Sequence, residues 1–244
     1  MRLALVGYGR MGRAVEAVAL QRGHDVVARV ERGDELAAGL RDAEVAVDFT
    51  VPDAVLDTVR GAAAAGVPLV VGTTGWYDRT EDVRRIVEAS GTGLLWAPNF
   101  SMGVQLFFRL AREAGRLVDA LEEYDVSLHE AHHRHKLDHP SGTGRRLADL
   151  LVEALARKER WEEGPFEGAP DPAVLEVTSS RAGEVPGTHV VALDGPDDRV
   201  ELRHEARGRD GFARGAVLAA EWLRGRTGFH DIDDMLAERF DAGR

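Results

Sequence analysis

The sequence predicts an α/β protein with a doubly wound parallel sheet and a second α+β domain built on a mixed or antiparallel sheet. A G-x-G-x-x-G motif, Gly7 to Gly12, follows an apolar run and opens a helical pattern. Up to residue 102, short apolar runs alternate with helical patterns, as in parallel βαβ units. After residue 172, strand-like runs succeed one another over short connections, which favours mixed or antiparallel pairing. The first domain is therefore predicted to be Rossmann-type.

Length and composition limit the class of protein. The 244 residues are enough for one large or two modest domains, and 44% hydrophobic with 30% charged residues is ordinary for a globular chain. No apolar run reaches the ~18 residues of a membrane span, and the first residues enter a strand rather than a signal peptide. The chain has no cysteine, and its net charge of −11 disfavours general nucleic-acid binding. We therefore expect a cytoplasmic protein without membrane or nucleic-acid partners.

The elements of the first domain follow from their residue patterns. Apolar or β-branched runs predict strands at residues 3–6, 25–30, 43–50, 67–71 and 93–96. Helical spacing after Gly12 and an alanine-rich stretch at 54–65 predict helices between these strands. Ligands of such sheets bind at the carboxyl ends of the strands. Here those ends are rich in glycine, small and hydroxyl residues, which suits a cofactor lying close to the backbone.

The glycine motif predicts a nicotinamide dinucleotide site, with a glycine turn that binds nothing as the alternative. Gly7 allows the tight turn, Gly9 lets the backbone approach a pyrophosphate, and Gly12 permits close helix packing. Glu31, about 20 residues farther on, favours NAD through the ribose hydroxyls. Arg32 beside it favours the 2′-phosphate of NADP. We therefore predict that NADH and NADPH are both used.

The second domain begins after a linking helix at 103–118. A strand at 124–130 precedes a histidine-rich loop, and leucines at helical spacing from Leu147 predict a helix that starts near Ser141. An acidic stretch rich in proline and glycine, 162–172, follows. The remaining predicted elements are strands at 173–179, 187–193 and 199–205 and terminal helices at 212–223 and 232–240.

Residues 129–143 carry the densest chemistry of the chain. Five of the nine histidines lie here with Lys136, one of only two lysines in a chain whose basic residues are otherwise arginine. Histidine and lysine are tunable proton donors, whereas arginine is not. Ser141 can cap the following helix, whose first-turn N–H groups bind carboxylate or phosphate. The stretch predicts a site that binds and protonates a small polyanion.

Two other interpretations of this stretch remain open. One is a histidine-rich surface loop without a role. The other is a metal site at His133 and His135, which would share a face of an extended strand. Arg134 and Lys136 would repel a dication there, so we predict no metal.

Motifs over nearly the whole chain resemble the 4-hydroxy-tetrahydrodipicolinate (dihydrodipicolinate) reductase family, which acts in the diaminopimelate route to lysine. The block Glu130 to Thr143, read E-A-H-H-R-H-K-L-D-H-P-S-G-T, is highly specific, whereas the glycine motif is not. The further motifs are residues 7–12, 47–50, 72–75, 99–101 and 179–183. The chain departs from the family in its compact glycine loop and in Gly144, where alanine is common.

The resemblance implies an oxidoreductase that transfers a hydride from NADH or NADPH to a cyclic unsaturated dicarboxylate, with loss of water. His132 would be the general acid, Lys136 the second proton donor or substrate anchor, and His133 a substrate contact. A substrate carboxylate would be held by Ser141, Gly142 and Thr143. Including the motif and the ribose pair, the expected cofactor residues are Gly7, Tyr8, Gly9, Arg10, Met11, Gly12, Glu31, Arg32, Gly72, Thr73, Thr74, Ala97, Pro98, Asn99 and Phe100.

The resemblance also implies the domain organisation. Residues 1–102 and 213–244 would form the dinucleotide-binding domain, and 103–212 the substrate-binding and oligomerisation domain of a homotetramer. Two rival functions remain: a dinucleotide-sensing Rossmann protein without turnover, and another amino-acid-type dehydrogenase on the same fold.

Overall fold

A computed structural model of the chain describes residues 1–241. The described chain divides into two compact units, one formed by residues 1–101 and 209–241, the other by residues 102–208. In residues 1–241, none of the helices combines the length and apolarity that crossing a bilayer requires.

The regular elements are numbered in chain order. The strands are β1 (Arg2–Val6), β2 (Asp25–Val30), β3 (Val45–Asp48), β4 (Leu69–Val71), β5 (Gly93–Trp96), β6 (Asp125–His132), β7 (Arg160–Glu163), β8 (Val174–Arg181), β9 (Thr188–Asp194), β10 (Arg199–Glu205) and β11 (Gly228–Asp231). The helices are α1 (Arg10–Gln21), α2 (Leu36–Leu40), α3 (Val55–Ala65), α4 (Thr80–Ser90), α5 (Met102–Val118), α6 (Gly142–Ala154), α7 (Asp210–Leu223) and α8 (Ile232–Asp241).

The first unit contains a six-stranded sheet in the order β11-β5-β4-β3-β1-β2, and every pairing is parallel. Its inner strands β1, β3, β4 and β5 are mostly buried, as expected where helices cover both faces of a parallel sheet, and β3 is buried at every position. The strand order reverses between β3 and β1, so the crevice for a ligand lies outside their carboxyl ends. The predicted doubly wound parallel sheet is confirmed.

The second unit contains a five-stranded mixed sheet in the order β10-β9-β6-β8-β7. The central strand β6 runs parallel to β8 and antiparallel to β9. Burial alternates along β6, and its even-numbered residues from Val126 to His132 are buried. Leu128 of this strand joins Leu147 and Leu151 of α6 in one apolar core. The prediction of a mixed sheet is confirmed.

Three differences from the predicted elements are informative. No strand was predicted where the short strands β7 and β11 form. Both lie at sheet edges and are at most half-buried, so their sequences are polar and lack an apolar run. The strand predicted at 43–50 is shorter in the structure, where only β3 (Val45–Asp48) is in the sheet. Residues 49–51 leave the sheet and form the loop at its carboxyl edge. Strand β6 runs two residues beyond its predicted end, which places His132 on the sheet instead of in the loop.

Candidate active site

The glycine turn after β1 builds an open helix start. Gly7 has φ +89°, and a Cβ there would lie 2.4 Å from the backbone oxygen of Phe49. A Cβ on Gly12 would lie 2.4 Å from the carbonyl oxygen of Gly7. A Cβ on Gly9 would meet nothing within 4 Å, and no side chain caps α1 at this residue. The first turn of α1 therefore offers amides beside open space, a geometry that suits a pyrophosphate.

Tyr8 is held between charged neighbours inside this turn. Its hydroxyl donates to Glu16, which also pairs with Arg29. The guanidinium carbons of Arg13 and Arg29 both lie 5.6 Å from the centre of the tyrosine ring. Tyr8 thus has a fixed position, while Arg10 remains exposed at the start of α1.

A cavity of about 740 Å³ lies beside the glycine turn, at the end of β2. Gly7, Glu31 and Arg32 all line it, so the structure brings together residues that were predicted to hold the adenosine half of a cofactor. The amide of Glu31 donates to the Asp34 carboxylate at 2.8 Å, which bends the chain after β2. Sequence reasoning missed three further acids in the lining, Asp34, Asp53 and Asp57.

The loops after β3, β4 and β5 meet at the carboxyl edge of the sheet. A Cβ on Gly72 would lie 2.2 Å from the Phe49 ring, so only glycine lets this ring lie against the loop. The rings of Phe49 and Phe100 are 6.4 Å apart in an edge-to-face arrangement. Of the other predicted residues here, Ala97 is buried and Pro98 is exposed. The Oδ1 atom of Asn99 accepts the amide of Ser101 at 2.8 Å.

Asp48 is a buried carboxyl at this edge. The amide of Thr50 donates to Asp48 Oδ1 at 2.9 Å and to Thr73 Oγ1 at 2.7 Å, which ties two of the loops together. In the described chain, Asp48 Oδ2 has no hydrogen-bond partner. Burial raises the pKa of Asp48 to about 6, against the opposing effect of hydrogen bonds from Thr50 and Thr73.

In the second unit, β6 places His132 on its buried face and ends there. The carbonyl of His132 accepts the amide of Ala182 at 3.0 Å, so the end of β6 is tied to the segment after β8. The chain then turns, and the amide of Lys136 donates to the carbonyl of His133 at 3.1 Å. The alternative of a metal site assumed that His133 and His135 share a strand face, and they do not, because the strand ends before them. Their rings lie 5.9 Å apart within the turn.

The imidazole of His132 is buried among charged groups. Only 7% of the residue is exposed, and Nδ1 lies 3.7 Å from Glu130 Oε1. Burial lowers the pKa of His132 to about 4; Glu130 acts to raise it, whereas His189, Lys136 and Arg181 act to lower it. At neutral pH without substrate the imidazole is therefore neutral.

Lys136 lies in the turn that follows. Its ammonium nitrogen is 2.8 Å from a carboxylate oxygen of Asp138, and a quarter of the side chain is exposed. Burial acts to raise the pKa of Asp138, but Lys136, together with a backbone hydrogen bond and Arg181, holds that pKa below its usual range. Lys136 is thus a solvent-reachable cation whose position is set by one carboxylate.

The helix start predicted at Ser141 is present. Ser141 is the N-cap of α6, and its hydroxyl accepts the amide of Gly144 at 3.0 Å. The first helical bond runs from Arg145 to the Ser141 carbonyl at 2.9 Å, so the amides of Gly142 and Thr143 come before the helical ladder. A Cβ on Gly142 would meet nothing within 4 Å, which leaves this end of the helix open.

A buried network that sequence reasoning missed supports this helix start. Glu130 is fully buried, and its Oε1 accepts the Ser141 amide at 2.9 Å and the Arg181 guanidinium at 2.7 Å. Its Oε2 accepts the Ser141 hydroxyl at 2.5 Å and lies 3.4 Å from His189 Nε2. Ligand atoms of Glu130, His132 and His189 fall within 4.8 Å of one another. Because both carboxylate oxygens already bind donors and one binds a guanidinium, this cluster does not suit a dication.

Comparison with known families agrees with this arrangement in both units. The model described as "Dihydrodipicolinate reductase, N-terminus" matches residues 1–100, and "Dihydrodipicolinate reductase, C-terminus" matches residues 103–236. The chain belongs to the dihydrodipicolinate reductase family.

Full-length relatives support the membership. The chain is 42% identical over 253 residues to the 4-hydroxy-tetrahydrodipicolinate reductase of Natronomonas pharaonis, covering 97% of this chain and 100% of the relative. It is 37% identical over 242 residues to the enzyme of the same name from Christiangramia forsetii, covering 98% and 99%. The family resemblance inferred from the motifs is thereby confirmed.

Two solved structures share the fold. Dipicolinate-bound dihydrodipicolinate reductase from Paenisporosarcina sp. TG-14 aligns with a TM-score of 0.77 and 21% identity, covering 96% of this chain and 98% of that one. Amine dehydrogenase from Mycobacterium smegmatis aligns with a TM-score of 0.62 and 12% identity, covering 93% of each chain. At such identities the likeness is evidence for the fold alone.

Proposed function

We propose that this member of the dihydrodipicolinate reductase family reduces 4-hydroxy-tetrahydrodipicolinate to tetrahydrodipicolinate in the diaminopimelate route, with loss of water. The observation that carries the proposal is the second unit's combination of an open helix start at Gly142 with His132 and Lys136 on the adjoining strand and turn. A dicarboxylate needs anion-binding groups, and its reduction consumes one proton. This short stretch supplies both.

The first unit supplies residues that fit a nicotinamide dinucleotide. The open position at Gly9 admits the pyrophosphate, and Glu31 accepts hydrogen bonds from the adenosine ribose. The bound cofactor supplies the hydride. We propose that NADH and NADPH are both used. Arg32 attracts a 2′-phosphate, whereas the acids in the cavity lining repel it and so favour NADH.

The second unit's residues bind and protonate the substrate. Gly142 and Thr143 receive one carboxylate at the start of α6, where the helix dipole also favours an anion. Ser141 acts as the N-cap instead, because its amide and hydroxyl both donate to Glu130. Lys136 and His133 receive the other. His132 gains its proton when the two carboxylates arrive, because negative charge favours the imidazolium. It then delivers this proton to the atom where negative charge develops. Lys136 is either an alternative donor of this one proton or only the anchor of the carboxylate.

This order of events predicts ligand-linked protonation of His132. In the free protein its NMR signals are expected to titrate with a pKa of about 4. Saturating pyridine-2,6-dicarboxylate is expected to raise that pKa. Signals of the exposed His129, on the other face of β6, serve as the internal control and are expected not to respond to the ligand. A His132 titration that the dicarboxylate leaves unchanged would contradict the proposed proton uptake.

The ribose assignment predicts a cofactor-specific loss. Glu31→Ala is expected to weaken NADH binding by roughly 10-fold, as for a lost charge-assisted hydrogen bond. NADPH binding is expected to weaken less, because the same change removes repulsion of the 2′-phosphate. Fluorescence titration with each cofactor measures both Kd values. Glu35→Ala is the matched control, since Glu35 is an exposed acid outside the cavity lining. Equal losses for both cofactors would refute the assignment.

A turnover assay tests the proposed function against its rivals. Oxidation of NADH or NADPH, followed by absorbance, is expected only when the cyclic 4-hydroxy dicarboxylate is present. A dinucleotide sensor would bind cofactor without turnover. An amino-acid-type dehydrogenase would instead oxidise diaminopimelate or aspartate. We also propose that the protein is a cytoplasmic homotetramer, as the resemblance implies. Analytical ultracentrifugation measures the mass of the assembly and so tests the tetramer.

A further inference from the structure

We propose that Glu130 is a positioning residue for this reaction: its buried carboxylate fixes the start of α6 and faces His132, so that the carboxylate-binding amide and the proton donor keep one relative position. The inference deepens the proposed function and rests on it. Glu130 itself touches neither the substrate nor the cofactor in this scheme, because its two oxygens are occupied by groups of the protein.

The geometry shows how one side chain controls the helix start. Glu130 accepts both the amide and the hydroxyl of Ser141, at 2.9 and 2.5 Å, so the N-cap residue is held at two points. The same hydroxyl accepts the amide of Gly144, which joins the first turn of α6 to strand β6. A Cβ on Gly144 would lie 2.4 Å from Glu130 Oε2. Glycine at this position therefore gives the carboxylate room to reach the cap.

Arg181, at the end of the neighbouring strand β8, also holds the Glu130 carboxylate in position. Its guanidinium donates to Glu130 Oε1 at 2.7 Å, and its side chain is 9% exposed. It also donates to the carbonyl of Asp138, in the segment between β6 and α6. The carboxylate and the guanidinium thus link β6, β8, this segment and the start of α6. Because a buried pair of this kind is costly to break, the arrangement resists displacement.

Charge gives Glu130 a second effect. Burial acts to raise its pKa, but His189, Ser141 and Arg181 together hold that pKa well below its usual range, so the carboxylate is ionised at neutral pH. The groups that act on His132 are Glu130 on β6, His189 on β9, Arg181 on β8 and Lys136 in the turn. Within the described residues, Glu130 is the one negative charge of this set. Removing it makes the imidazolium of His132 harder to form.

The test compares Glu130→Gln, which keeps the shape and removes the charge, with Asp125→Asn as the matched control. Asp125 lies at the other end of β6 and pairs with the buried Lys158 at 2.8 Å, so its variant also removes the charge of a carboxylate on this strand that pairs with a buried cation. In the E130Q holoenzyme, the Kd of pyridine-2,6-dicarboxylate is expected to rise by ~10–10²-fold. The reason is that the charge-assisted hydrogen bonds from Ser141 to Glu130 no longer hold the start of α6 in position. The Kd of NADH is expected to stay at the wild-type value.

A pH profile separates positioning from a general loss of structure. The alkaline limb of kcat reports the acid of the substrate complex, and in E130Q it is expected to move to lower pH. Glu130→Asp keeps the charge and is expected to return this limb toward wild type, and it decides the question if E130Q does not fold. Wild-type dicarboxylate affinity and an unshifted limb in E130Q would overturn the proposal. So would an equal effect of D125N. A wild-type protein without turnover refutes the proposed function instead, while the dicarboxylate titrations still test Glu130.

Discussion

Lys136→Ala is expected to lower kcat/KM for the cyclic dicarboxylate by at least ~10²-fold, the usual scale for loss of a general acid or charged anchor. The turn between β6 and α6 leaves its ammonium partly exposed and paired only with Asp138 among the ion pairs of the described chain, so a dianion can compete for it. The loss combines a weaker carboxylate contact with a slower proton transfer. Steady-state kinetics over a range of substrate concentrations measures both.

Lys136→Arg is the matched variant because it keeps the charge but does not release a proton near neutral pH. If Lys136 acts as a proton donor, K136R is expected to retain dicarboxylate affinity and lose kcat. If it only anchors the substrate, K136R is expected to retain most of the activity. Kinetics of K136A close to wild type would remove Lys136 from the mechanism.

His132→Gln is expected to reduce kcat by ~10²–10⁴-fold, with a much smaller change in the Kd of pyridine-2,6-dicarboxylate. The imidazole is buried and uncharged without substrate, so it contributes little to attracting the dianion. Its effect therefore falls on the chemical step. Single-turnover measurements of cofactor oxidation isolate that step from product release.

His129→Gln provides the control on the same strand. His129 lies on the exposed face of β6 and bonds Thr178 at 2.8 Å, so its removal is expected to leave kcat unchanged. If H132Q and H129Q behave alike, His132 is not the general acid. If H132Q loses dicarboxylate affinity in proportion to kcat, its role is binding instead of proton transfer.

Much of the fold was readable from local patterns. The glycine motif, the apolar runs and the helical spacings each involve a few neighbouring residues, and they predicted the parallel sheet and the mixed sheet. Strands β7 and β11 escaped prediction because tertiary pairing, not apolar sequence, holds them: Trp161 pairs with Leu175 and Phe229 with Leu94. Their own sequences are short and polar.

The residues of the candidate site also fall into those that local sequence patterns predicted and those that they did not. His132, Lys136 and Ser141 are close in sequence, and their residue types alone pointed to proton transfer and anion binding. Arg181 lies 51 residues from Glu130, and no local pattern links them. Glu130 stands two residues before His132, and two such residues on one strand share a face, but the predicted strand ended at residue 130 and left His132 in the loop. The neutral state of His132 follows from burial, which a list of residues does not reveal.

The most direct test is a crystal structure of the protein with oxidised cofactor and pyridine-2,6-dicarboxylate. The account predicts one carboxylate within hydrogen-bonding distance of the Gly142 amide and the other beside the Lys136 ammonium, with the His132 ring facing the ligand. A dicarboxylate bound away from residues 132–143, with His132 and Lys136 both facing only solvent, would contradict it.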